Sequence, residues 1–303
     1  MRVLVFFLVL GGFSSLTFAA NSHIRFVSTY LQPGTTSPDR NYLPEILSHL
    51  SAVHLGPRYF GQVRNSLHDK QAIIDLADEF FSYDDNTRGE LLTNYQQNLD
   101  QLSKKDLAGF ENKILAFYIA DEPSDYGITR DSLDIVIRAV KKKFPNIPTY
   151  IIWDQDCFDN TSALDDKCGL AGQRGIPADV DWVGFDWYIR GNPAQDNTTF
   201  KNSVVSTMTR MKRVTNKPIV MVPDGTDEFL KDYAASARDT YMTQRLQIYF
   251  NYALSDARVI GVDNYAWADH TETFGDSGDI NVLGTREYPK AKKSLFDFAN
   301  SVH

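Results

Sequence analysis

Short apolar runs alternate with helix-like stretches along almost the whole chain, and this alternation constrains the fold more than any other feature. The strand-like segments are 23–30, 51–55, 114–119, 149–153, 181–188, 218–222 and 258–265. Helical patterning occupies 42–50, 69–81, 88–110, 131–144, 200–214, 240–254 and 288–302. Strand, helix, strand in steady order implies parallel strands joined by right-handed crossovers. The fold class expected is α/β, a single (β/α)8 TIM-type barrel over residues 20–303. The strand candidates are one short of the eight such a barrel needs, so an irregular stretch is expected within 56–113. The missing strand is expected near 80–83. A doubly wound sheet is disfavoured because no Gly-rich loop links a strand to a helix.

The amino-terminal residues read as an export signal. Arg2 is followed by the apolar run Val3 to Leu10, and Thr17-Phe18-Ala19 offers small residues for cleavage after Ala19. Residues 1–19 are therefore expected to be a signal peptide, and the mature chain to be secreted or periplasmic. No later segment has 18 uninterrupted apolar residues, so no membrane association is expected after cleavage. Net charge is −8 without a long basic run, which argues against nucleic acid as a partner. A monomer is expected. Cys157 and Cys168 lie close together in one loop, and in an exported chain they are expected to form a disulfide.

If the chain closes into a barrel, residues at strand carboxyl ends share one mouth. The run Ile114 to Ile119 has the composition of a strand buried on both faces, and it ends in Asp121-Glu122-Pro123. Proline cannot continue a ladder, so the two acids mark the strand's end. Asp154, Asp186, Trp187, Tyr188, Asp224, Tyr265 and Trp267 lie at other predicted strand ends. Acids and aromatics suit glycosidic cleavage. One carboxylic acid protonates the leaving oxygen, a second carboxylate attacks or activates water, and flat rings cover the apolar faces of sugars. Clustered histidine ligands are missing from the sequence, and no nucleophile-elbow serine occurs. No metal or organic cofactor is expected.

Ala120-Asp121-Glu122-Pro123 after an apolar strand resembles the Asn-Glu-Pro motif of the clan A glycoside hydrolases. The resemblance implies that Glu122 is the general acid/base and that Asp121 stands where the clan has its Asn. Tyr265-Ala266-Trp267 looks like the clan's eighth-strand tryptophan platform. The resemblance fails at the seventh strand, where Pro223-Asp224-Gly225 replaces the clan's nucleophile Glu. Asp224 is then the first candidate for the second carboxylate and Asp186 the next, with Asp154 also open. Asp121, Asp154, Trp187, Tyr188, Tyr265 and Trp267 are expected to line the carbohydrate site. The function expected is an exported glycosidase acting on an oligo- or polysaccharide. The alternatives are a non-catalytic glycan-binding protein on a degenerate glycosidase barrel, or a metal-dependent hydrolase.

Overall fold

The computed structural model describes residues 22–30, 42–83, 87–154, 157, 176–188, 193–273 and 279–303, with the side chains of 193–197, 272, 273 and 279 excepted. Eight parallel strands form a nearly closed barrel: β1 Phe26–Thr29, β2 Ala52–Leu55, β3 Gln71–Asp75, β4 Ile114–Ala120, β5 Thr149–Asp154, β6 Trp182–Trp187, β7 Ile219–Pro223 and β8 Val259–Asn264. From β2 to β8 each strand pairs with the next, and β8 returns to β1 through Phe26↔Gly261 and Ser28↔Asp263. The β1–β2 seam is the irregular one. It is held by Ser51 N–H to Val27 O (3.2 Å), Val27 N–H to Ser51 Oγ (2.9 Å) and a bridge between Tyr30 and His54.

Alternation along the strands sorts side chains between two compartments. Phe26, Ala52, Ile73, Ala116, Tyr118, Tyr150, Ile152, Trp182 and Val220 fill the barrel. Val27, Val53, Ile74, Phe117, Ile151, Val183, Phe185 and Met221 face outward into the shared helix-side core. Small residues make room where large ones cross the interior. A Cβ on Gly261 would lie 2.2 Å from the Phe26 ring, and one on Gly184 would lie 2.7 Å from the Tyr150 hydroxyl.

The outer helices include Arg130–Lys143 and Pro289–Val302, close to their sequence expectations, and Pro193–Val214 and Ala235–Ser255, which begin earlier than the expected 200 and 240. Thr129 caps the first of these, its hydroxyl accepting from Ser132 N–H (3.2 Å). One expectation is corrected. The eighth strand is β3, Gln71–Asp75, and not the stretch near 80–83, which contains the end of a short helix Ala77–Phe80. Ile73, Ile74, Ala77, Phe80 and Phe81 fit a helical spacing. The continuous buried run Ala72, Ile73, Ile74 instead satisfies a strand with both faces covered. No helix among the described residues is long and apolar enough to cross a membrane. Residues 1–21 lie outside the described residues. So does Cys168, and with it the expected pairing with Cys157.

Candidate active site

β4 delivers Asp121 and Glu122 to the mouth through a backbone reversal. Glu122 has φ +35, a conformation unusual for a residue with a Cβ. Its N–H donates to Ile152 O (3.1 Å), and its carbonyl accepts from Asp125 N–H (2.8 Å). The strand thus ends in a turn anchored on β5, and Pro123 prevents further pairing. Departures of this kind concentrate at functional sites, where surrounding structure holds them.

Glu122 and Asp186, from the ends of β4 and β6, are in hydrogen-bonding contact through their carboxyls. Asp186 is buried, and its register partner on β5 is Asp154. Burial pushes Glu122 up to about 8, and the negative fields of Asp121, Asp154 and Asp125 add to the shift. Burial also raises Asp186 well above the usual carboxylate range, with Glu122 the next cause. Two adjoining buried carboxyls do not both ionise, so near neutral pH the pair retains a proton. Tyr118 donates its hydroxyl to Asp121 Oδ1. Tyr188, beside Asp186, hydrogen-bonds that carboxyl.

The remaining expected residues divide. Tyr188 and Tyr265 sit together at the mouth, ring centroids 5.6 Å apart, and Tyr30 meets Tyr265 edge-on at 5.3 Å. Trp187 does not join them. It is the outward-facing residue of its strand and packs on Phe200 at 5.4 Å. Trp267 is fully buried and stacks on Phe296, so it is a core residue and not a sugar platform. Asp224 is also displaced from its expected role. One oxygen accepts from Arg245 (2.6 Å) and the other from the Thr226 N–H (3.0 Å) and hydroxyl (2.9 Å). Asp224 and Arg245 are both buried, which makes them a structural ion pair between β7 and the helix Ala235–Ser255.

His54 and Asp75, which sequence reading passed over, belong to the mouth's floor together with Asp263. His54 and Asp263 are buried and joined at 2.7 Å. Asp75, at the end of β3, is pushed up to about 6 by burial, with His54 pulling the other way. Asp75 was hidden because its strand was read as helix. One carboxylate oxygen from each of Glu122, Asp125 and Asp154 lies within 4.8 Å of the others. Among the described residues these are the ones able to hold a cation, and an all-carboxylate donor set suits Mg²⁺ or Ca²⁺ better than Zn²⁺.

No family model and no curated protein matches this sequence. The fold does match solved glycoside hydrolases. A GH2 beta-galacturonidase from Eisenbergiella tayi superposes with TM-score 0.61 at 14% identity, over 92% of this chain and 51% of that one. Xylanase 10B from Thermotoga maritima gives 0.58 at 11% identity, over 93% and 98%. A beta-glucuronidase from Ruminococcus gnavus gives 0.58 at 15%, over 93% and 50%. The chain thus spans about half the length of the two uronidases and nearly all of the xylanase. At such identities the likeness is one of architecture: the chain has the (β/α)8 barrel that these glycoside hydrolases share.

Proposed function

We propose that the protein is a glycosidase cleaving O-glycosidic bonds of an oligo- or polysaccharide, with Glu122 as general acid. The observation that carries this reading is the contact between Glu122 and Asp186 at the carboxyl ends of β4 and β6. Burial and neighbouring acids keep a proton on the pair at a pH where an isolated carboxyl has lost it. Glu122 passes that proton to the leaving oxygen, and the surrounding carboxylates stabilise the positive charge that develops on the sugar.

Asp186 adjoins Glu122, and the two carboxyls titrate as one unit. The proposed role of Asp186 is to share the proton and position Glu122. Asp154, which ends the neighbouring strand β5, takes the second-carboxylate role in this reading, because Asp224 is engaged by Arg245. Tyr188 and Tyr265 supply the aromatic walls of the subsite.

The test is a glycan panel scored for both binding and product release, with wild type and Glu122→Gln. Glu122→Gln is expected to reduce turnover by at least ~100-fold while binding persists. Unchanged turnover would remove Glu122 from the mechanism. Binding by the wild type with no product from any glycan would favour a non-catalytic glycan-binding protein.

A second reading rests on the clustered oxygens of Glu122, Asp125 and Asp154. A metal-dependent hydrolase would seat a hard divalent cation there, and its activity would disappear on chelation and return with Mg²⁺ or Ca²⁺. Activity indifferent to EDTA would sink that reading. We further infer export, from the signal-like residues 1–19. The mature protein is then expected to begin at Ala20, which intact mass would show.

A further inference from the structure

Among the described residues, the proposed mechanism leaves a fully buried histidine unused. His54 lies on β2 and points into the barrel, where it is 1% exposed. Its Nδ1 meets Asp263 Oδ2 at 2.7 Å. Asp263 Oδ1 in turn accepts from the Ser28 hydroxyl at 2.7 Å. A carboxylate offers only acceptors, so the hydrogen on a neutral His54 ring resides on Nδ1 and the lone pair on Nε2. The ring is held from two further directions. Tyr30 lies over its face at 3.7 Å, and Tyr118 meets it edge-on at 4.9 Å.

Nε2 itself has no hydrogen-bond partner. A buried polar atom left unsatisfied costs stability. Here three elements fix the ring in the orientation that incurs this cost. An imidazole needed only to tie β2 to β8 would be served through Nδ1 alone. The site lies on the floor of the mouth. Asp75 lies near His54, and Tyr118, packed on His54, donates to Asp121 beside Glu122. A second fully buried polar atom, the Tyr150 hydroxyl, also lacks a partner on this floor, where it feels the charges of Asp263, Asp186 and Asp121.

We propose that His54 Nε2 is the acceptor for a ligand hydroxyl in a sugar-binding subsite on the barrel floor, oriented by Asp263 and Ser28. This deepens the carbohydrate reading and rests on it. The ligand class is a polyhydroxylated ring that descends past Tyr188 and Tyr265 and presents one hydroxyl proton to Nε2. His54 is a binding residue in this scheme and moves no proton in the reaction.

The experiment uses the full chain carrying Glu122→Gln, so that binding is read without turnover. The probes are cellotriose, xylotriose and chitotriose, followed by calorimetry and by ¹⁵N signals of the histidine rings. His54→Asn keeps an amide near Nδ1 for Asp263 and removes Nε2. His54→Gln places an amide near Nε2 instead. For a trisaccharide that binds, His54→Asn is expected to weaken affinity about tenfold, the loss of one buried hydrogen bond, and His54→Gln to recover part of it. The His54 Nε2 signal is expected to shift on saturation, which a purely structural histidine would not do.

An unmoved Nε2 signal together with unchanged affinity in His54→Asn overturns the subsite while leaving the hydrolase reading standing. A shifted signal with no product from the wild type upholds the subsite and removes the hydrolase. Failure of all three sugars to bind overturns both. A complex in which Nε2 meets only an internal water also overturns the subsite.

Discussion

Glu122 was legible in the sequence because a buried strand seldom ends in two acids and a proline. Its partner was not. Asp224 and Asp186 end neighbouring strands with similar patterning, and what separates them is a cation 21 residues further along the chain, Arg245, which claims Asp224. The Glu122 environment has a consequence for stability. Its carboxyl titrates near 8 in the fold against an ordinary value of 4.5. Below about 4.5 both folded and unfolded chains hold the proton, and the group imposes no penalty. As pH rises, the unfolded chain releases the proton first, so stability falls until the folded group also ionises near 8. Asp75 adds a smaller loss of the same sign between 3.8 and about 6. Wild type is therefore expected to lose melting temperature steadily from pH 5 to 8. Glu122→Gln should flatten that slope and melt several degrees higher at pH 8. Parallel slopes in a thermal-shift series would show that Glu122 is not held protonated.

Elements were easier to read than their edges. Ile114–Ala120, Trp182–Trp187 and Ile219–Pro223 are short β-rich runs between turn residues, and each is a strand as expected. The reading failed at β3, where isoleucines and phenylalanines fall at helical spacing by coincidence and only the tertiary environment chooses. The tryptophans failed for a related reason. Position at a strand end does not say which side of the barrel wall a ring occupies, and parity turns Trp187 toward Phe200. Arg245 gives the helix Ala235–Ser255 a charged group on its buried side, and Asp224 compensates it at 2.6 Å. Removing one partner leaves the other as an unpaired buried charge. Asp224→Ala is expected to cost about 3–5 kcal/mol. The double change Asp224→Ala with Arg245→Met should cost less than Asp224→Ala alone, and the folded fraction should retain its turnover. A turnover loss beyond the loss of folded protein would return Asp224 to the catalytic group.

At the scale of the molecule, the strand–helix alternation called for parallel strands with crossovers, and the missing Gly-rich strand-to-helix loop favoured a barrel over a doubly wound sheet. Where the barrel closes least well was not legible, since that depends on backbone ladders. From β2 to β8 and on to β1 neighbouring strands pair in parallel ladders, whereas β1 meets β2 through only a few polar contacts. The buried group of His54 from β2, Asp263 from β8 and Ser28 from β1 spans that seam from inside. It therefore serves closure as well as the proposed subsite, and the two roles use different nitrogens of one ring. Cutting the span at Asp263 should loosen one side of the barrel selectively. Asp263→Ala leaves His54 Nδ1 unsatisfied and leaves the Ser28 hydroxyl only its longer bond to Val262 O (3.4 Å), and is expected to cost about 1–3 kcal/mol. Native-state hydrogen exchange should then accelerate at the Ser51 amide, which bonds to Val27 across the seam. It should change far less at the Val183 amide, which bonds to Pro218 on the opposite wall. Equal acceleration on both walls would mean that the barrel opens as one unit and that the seam is no weaker than the rest.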